Sequence, residues 1–158
     1  MQYQSQKVAY PYFALALLLF VLQVLLGLWL AINYFATLPQ SLVNVFPFST
    51  ARAMHTNLLV LWLLLGFMGG TYYLLPDETK SEIYSSKLAY LLFVIFALTG
   101  VVALVGFLFG WNQGKPLLEI PIELDIVVVI GAIIGVLIAF VAPPRPKRSH
   151  RGTAARVD

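Results

Sequence analysis

An arginine and a histidine lie three residues apart in an otherwise uncharged part of this chain. Between Val8 and Leu75, Arg52 is the only charged residue, and His55 is the only other side chain that titrates near neutral pH. On a helix the two would share a face, one turn apart. Ionisable groups at membrane depth are costly and usually face a partner inside a bundle. Because a neutral imidazole binds iron well and a cation suits an anionic cofactor tail, the pair predicts haem iron on His55 and a propionate near Arg52.

Both side chains also have an ordinary structural interpretation. His55 could be a buried histidine that is hydrogen-bonded between helices, and Arg52 could extend to lipid headgroups at the membrane interface. Gln23, in the middle of an apolar run, is expected to bond to a neighbouring helix rather than to take part in catalysis. The spacing of the residues alone leaves these alternatives open.

The composition is that of an integral membrane protein. Hydrophobic residues make up 60% of the chain and charged residues 11%, against about 45–50% and 25% in soluble domains. Only helices or closed barrels satisfy their backbone in lipid, and the alternating pattern of a barrel is absent. We therefore predict an all-α integral membrane fold, residues 1–142, that contacts lipid and no nucleic acid. Its four transmembrane helices are expected at about residues 12–35, 52–75, 88–111 and 126–142.

The distribution of basic residues predicts how the chain is oriented in its membrane. Half of the ten lysines and arginines lie in the Pro/Arg-rich tail, residues 143–158, which we expect to be disordered. The positive-inside rule places this tail in the cytoplasm, and four spans then place the N-terminus there too. His55 would lie near the outer end of its helix, where Pro47 and Ser49-Thr50 are typical of a helix start. The chain has no cysteine, which excludes disulfides, iron–sulfur ligation and covalent haem attachment.

The second span carries a long motif that is similar to a known family. It resembles the second transmembrane helix of the catalytic large (cytochrome b) subunit of respiratory nitric oxide reductase, in the haem–copper oxidase superfamily. The matching residues are Ala51-Arg52-Ala53-Met54-His55-Thr56-Asn57-Leu58-Leu59, Trp62, Gly66-Phe67-Met68-Gly69, Tyr72-Tyr73-Leu74 and Pro76. Shorter matches are Lys7-Val8-Ala9-Tyr10-Pro11-Tyr12-Phe13, Tyr84-Ser85-Ser86-Lys87-Leu88-Ala89 and Leu118-Glu119-Ile120-Pro121. The resemblance covers roughly residues 7–140 and implies the N-terminal portion of a twelve-helix fold.

The resemblance implies specific roles for individual residues. His55 would be one axial ligand of a low-spin haem b, and Arg52 would bind a haem propionate. Glu119 would help to deliver protons to the catalytic centre, whereas the alternative is an ordinary loop carboxylate. His150, the only other histidine, lies in the hydrophilic tail and is expected to be a bystander. Calcium is doubtful, because the family's cytochrome c-fed branch commonly has a further glutamate where this chain has Pro116.

The resemblance also implies a reaction for the parent protein. The family couples two NO molecules, with two electrons and two protons, to give N₂O and water. In the family, the second axial ligand of the low-spin haem lies on a later helix, and so do the ligands of the high-spin haem and of the non-haem iron. This chain alone is therefore not expected to turn over NO. Expected partners are those helices and a cytochrome c subunit or a quinol as electron donor. The location that the resemblance implies is a bacterial inner membrane.

The end of the chain allows two interpretations. The composition changes abruptly after about residue 142, which favours a truncated or frameshifted copy of a longer gene; the alternative is a true cytoplasmic tail. Two other functional hypotheses are a non-catalytic four-helix subunit that scaffolds a respiratory complex, and a fragment of an oxygen-reducing haem–copper oxidase. Haem content separates the scaffold from the enzyme hypotheses, because a scaffold needs no haem.

Overall fold

The structure is a computed structural model that describes residues 3–35, 39–115 and 119–141. Four of its helices are long and apolar enough to cross a membrane, so the predicted all-α fold with four spans is confirmed. The predicted tail and the residues His150 and Pro116 lie outside the described ranges. The helices are α1 (Ser5–Phe35), α2 (Gln40–Val45), α3 (Phe48–Thr79), α4 (Ser86–Leu108) and α5 (Ile122–Phe140).

The helices differ from the predicted spans mainly at their ends. α1 begins seven residues before the predicted Tyr12 and includes Lys7, since a helix can continue past the hydrocarbon boundary into the polar interface. α3 begins at Phe48 with Pro47 as its N-cap, and no side chain caps its first turn. Ser49-Thr50, expected as a capping signal, lies inside the helix instead. The short α2 was not predicted, because six residues carry too little periodicity to identify a helix.

The centre of the bundle is built around α1 and α3. Tyr12 of α1 and Tyr72 of α3 are both fully buried, and their rings meet edge to face with centroids 5.4 Å apart. Each hydroxyl donates to a backbone carbonyl of another helix: Tyr12 to Ala89 at 2.8 Å and Tyr72 to Gly135 at 3.3 Å. Because a buried hydroxyl without a partner is costly, these bonds connect α1 and α3 to α4 and α5.

The sequence has three pairs of glycines four residues apart within its predicted spans, Gly66/Gly70, Gly106/Gly110 and Gly131/Gly135, a spacing that lets transmembrane helices approach closely. In the structure, one of the three pairs packs helices together. A methyl group on Gly131 would lie 2.9 Å from the Phe96 ring, and one on Gly135 would collide with the end of the Met68 side chain, so α5 approaches its neighbours there. A methyl on Gly66 or Gly70 would have no atom within 4 Å in the described structure. The third pair, Gly106 and Gly110, does not lie on one helix, because α4 ends at Leu108.

A carboxylate holds the start of α1 against the loop between α3 and α4. Glu82 accepts the backbone N–H groups of Gln4 at 2.6 Å and Ser5 at 3.0 Å. Burial by itself would raise the pKa of Glu82, but hydrogen bonds from Ser5 and Gln4 hold the pKa below its ordinary value of 4.5. Gln6 adds a bond to Asp77 at 2.9 Å. The start of α1 and the end of α3 therefore lie at the same end of the bundle, as alternating spans require.

Candidate haem-ligand site

His55 lies in the second turn of α3 and turns one ring nitrogen towards α1. Its Nδ1 atom is 2.8 Å from the backbone carbonyl oxygen of Gln23, and the side chain is half-buried. A carbonyl oxygen can only accept, so Nδ1 must carry the hydrogen. The lone pair of the neutral ring then resides on Nε2, which has no hydrogen-bond partner among the described residues. His55 is thus hydrogen-bonded between two helices and still has one nitrogen, Nε2, whose lone pair could bind a metal.

Gln23 contacts α3 through its side chain as well as through its backbone. The Trp62 indole N–H donates a short hydrogen bond to Gln23 Oε1. The expectation that Gln23 bonds to a neighbouring helix is confirmed. Because His55 and Trp62 are seven residues apart on one face of α3, this single residue of α1 contacts two positions that lie two helical turns apart. The sequence left Trp62 without a role.

Arg52 pairs with Glu119, a contact that the sequence did not predict. Arg52 Nη2 lies 2.8 Å from Glu119 Oε1, and the two side chains are 51% and 6% exposed. Glu119 stands just before α5, so the ion pair joins this loop to the first turns of α3. Such burial is not that of an ordinary loop carboxylate. Half of the Arg52 side chain remains exposed and free to contact other groups.

The second oxygen of Glu119 has no partner among the described residues. Glu119 Oε2 is buried and accepts no hydrogen bond, and the side-chain N–H₂ group of Gln113 in the same loop is likewise buried without an acceptor. The backbone N–H of Gln113 donates to the carbonyl of Glu119 at 3.1 Å, which closes this loop on itself. A buried carboxylate oxygen that lacks a donor can accept a hydrogen bond from water or hold a proton.

Two further acidic residues follow Glu119 without joining this pair. Glu123 and Asp125 occupy the first turn of α5, where acidic groups interact favourably with the positive end of the helix dipole. Glu123 is exposed and Asp125 is half-buried. Both carboxylates are therefore helix-start residues and lie outside the ion pair.

Among the described residues, His55 could supply a single bond to a metal, and no cluster of side chains completes a metal centre. Within residues 3–35, 39–115 and 119–141, no group of three or more His, Cys, Asp or Glu side chains could hold a metal ion. His55 presents an imidazole nitrogen that is free to bind iron, with its other nitrogen already satisfied. This is the arrangement in which protein imidazoles bind metals, because the second-nitrogen contact fixes the tautomer and orients the ring.

Comparison with known proteins places these features in a family. The family model described as cytochrome c and quinol oxidase polypeptide I matches residues 7–157, which extends past the residue near 140 where the resemblance was expected to fade. The chain is also similar to a nitric oxide reductase subunit from Stutzerimonas stutzeri, with 50% identity over 109 residues. That alignment covers 69% of this chain and 23% of the relative, so the chain spans about a quarter of the relative's length. Since the family model matches nearly the whole sequence, this chain belongs to the cytochrome c and quinol oxidase polypeptide I family of the haem–copper oxidases.

Proposed function

We propose that this chain is the N-terminal transmembrane portion of a nitric oxide reductase catalytic subunit. The parent protein would reduce two NO to N₂O and water with two electrons and two protons. This chain would supply His55 as one axial ligand of a low-spin haem b. The second axial ligand, the high-spin haem ligands and the non-haem iron ligands would come from helices beyond the described residues, so the chain alone would not be catalytically competent.

The observation that carries the proposal is the state of His55 in a chain that is 50% identical to an NO reductase subunit over 109 residues. Its Nδ1–H is satisfied by Gln23 and its Nε2 is free, as an iron ligand requires. The 50% identity favours the NO branch over the oxygen-reducing oxidases and over a scaffold. When bound, the haem would supply one-electron transfer towards the catalytic centre.

Arg52 and Glu119 lie together at one end of the bundle, and each would have its own role there. Arginine carries five N–H donors, and the contact with Glu119 uses one nitrogen at 2.8 Å. The remaining donors, on a half-exposed side chain, could bind a haem propionate. Glu119 would hold and release protons through the buried oxygen that Arg52 does not bind. Electrons would come from a cytochrome c subunit or from a quinol.

The direct test is turnover by the full-length protein that carries this segment. Purified anaerobically with a chemical electron donor, it should release one ¹⁵N₂O for every two ¹⁵NO that it consumes, and it should contain haem b. Oxygen consumption with no N₂O would assign the protein to the oxygen-reducing branch. A protein that folds without haem, and in which His55→Ala changes nothing, would support the scaffold hypothesis instead.

We also propose that both termini face the cytoplasm. The start of α1 lies beside the α3–α4 loop, so these regions must share one side of the membrane, while α2 lies at the other end. A cysteine at Gln40 should react with an impermeant thiol reagent added outside intact spheroplasts, and one at Ser81 should react only after lysis. The reverse pattern would place His55 near the inner surface and refute this orientation.

A further inference from the structure

The ring of His55 lies against a position of α1 that has no side chain. A methyl group on Gly27 would lie 3.0 Å from Cε1 of His55 and 3.4 Å from Nδ1. The shorter distance is tighter than carbon atoms adopt without adjustment, since the optimum is about 3.5–4.0 Å. The His55 ring therefore occupies space that any residue other than glycine would take up.

The same approach brings Nδ1 within reach of the α1 backbone. In a helix, the carbonyl of residue 23 points along the axis towards residue 27, so a group that donates to this carbonyl must pass beside the Cα of residue 27. The 2.8 Å contact between Nδ1 and the Gln23 oxygen is made through this gap. The bond from Trp62 to Gln23 Oε1, seven residues further along α3, keeps α1 and α3 in the register that aligns the gap with His55.

Gly27 is the residue of α1 at which this dependence can be tested. A side chain at residue 27 would move the ring away by several tenths of an ångström, lengthening the bond to Gln23 and rotating the direction of Nε2. A hydrogen bond from the far nitrogen also makes a ligating imidazole a stronger donor to its metal, so losing it weakens the ligand electronically as well as sterically.

We propose that Gly27 is a positioning residue for the haem iron. By leaving room for the bond between His55 and the Gln23 carbonyl, it holds the imidazole as the Nδ1–H tautomer and leaves Nε2 available, so that Nε2 would bind a haem iron. This inference rests on the proposed function, in which His55 is the axial ligand. It extends that proposal by assigning control of the bond to a residue of another helix that touches neither iron nor substrate.

The first test needs no haem and uses a double-mutant cycle in this 158-residue chain. Gly27→Ala should lower the thermal unfolding midpoint when His55 is present, and should be neutral or stabilising in a His55→Ala background, where the ring is gone. Gly70→Ala is the matched control, because its methyl would meet no atom within 4 Å of the described structure. Gly27→Ala could instead lower the unfolding midpoint equally with and without His55, or prevent folding in both backgrounds. Either result would mean that the destabilisation does not come from the His55 contact, and would overturn the inference.

The second test uses the full-length protein loaded with haem. In competition with excess apomyoglobin, the Gly27→Ala protein should bind its low-spin haem about 10- to 100-fold more weakly than the Gly70→Ala protein does. This is the range expected when a contact behind a metal ligand is lost. The reduction potential of that haem should also rise, because a weaker donor stabilises the ferric state less. Unchanged retention and potential would overturn the inference while leaving His55 as ligand. Low-spin haem that survives His55→Ala would overturn the proposed function itself.

Discussion

Replacing His55 with alanine should abolish the six-coordinate low-spin haem signal of the full-length protein. An iron held by two protein nitrogens loses one of them, and no other histidine within the described residues can replace it. Reduced-minus-oxidised spectra and low-temperature EPR would measure the loss. Thr56→Ala, at the neighbouring position and off the proposed ligand, should retain both signals. His55→Met should keep haem at a raised potential, because Met/His ligation shifts the potential upward.

The chain by itself should bind haem weakly. One imidazole provides one axial bond, so reconstitution of the 158 residues should give a five-coordinate or mixed spectrum without the sharp α and β bands of a bis-histidine cytochrome. Those bands at full stoichiometry would mean that His150 or a second copy of His55 supplies the other ligand. The protein would then be a self-sufficient b-type cytochrome, contrary to the proposal.

Glu119→Gln should lower NO turnover by about 10²–10⁴-fold, the usual cost of removing one acid–base group. Glutamine keeps the size of the side chain and an oxygen that can accept from Arg52, but it cannot release a proton. Production of ¹⁵N₂O in single-turnover mixing would measure the loss, and the low-spin haem spectrum should stay unchanged. Glu123→Gln is the matched control, because Glu123 is exposed and lies four residues away. Turnover in Glu119→Gln equal to that of the control would reduce Glu119 to a structural partner of Arg52.

The features set by local sequence could be predicted, and those set by helix packing could not. Length and polarity were enough to locate four spans, because the bilayer imposes both. His55 could be singled out because it is the one histidine in an apolar segment whose one charged residue is Arg52. The partner of Arg52 could not be found, since Glu119 is 67 residues away and pairs with it only after α3 and α5 have packed.

The glycines also show that sequence spacing alone does not predict which residues pack between helices. Spacing identified Gly131 and Gly135, which do pack closely, but it equally identified Gly66 and Gly70, which meet nothing in the described structure. Gly27 belongs to no repeated spacing, and its use depends on a ring from another helix. A signal was present in retrospect: Gly27 lies one turn after Gln23, the only strongly polar side chain in the middle of α1.

The contacts of His55 also set an order for biogenesis. Gln23 and Gly27, which contact the ring, both belong to α1, the membrane span that is synthesised before α3. The first two spans can therefore leave the translocon as a hairpin with the imidazole already held in place, while α4, α5 and any later segment are still being synthesised. If His55 binds haem as proposed, haem that arrives during synthesis would meet an imidazole that is already held in position. The entropic cost of ordering the imidazole would then be incurred before the later helices that complete the site have been made.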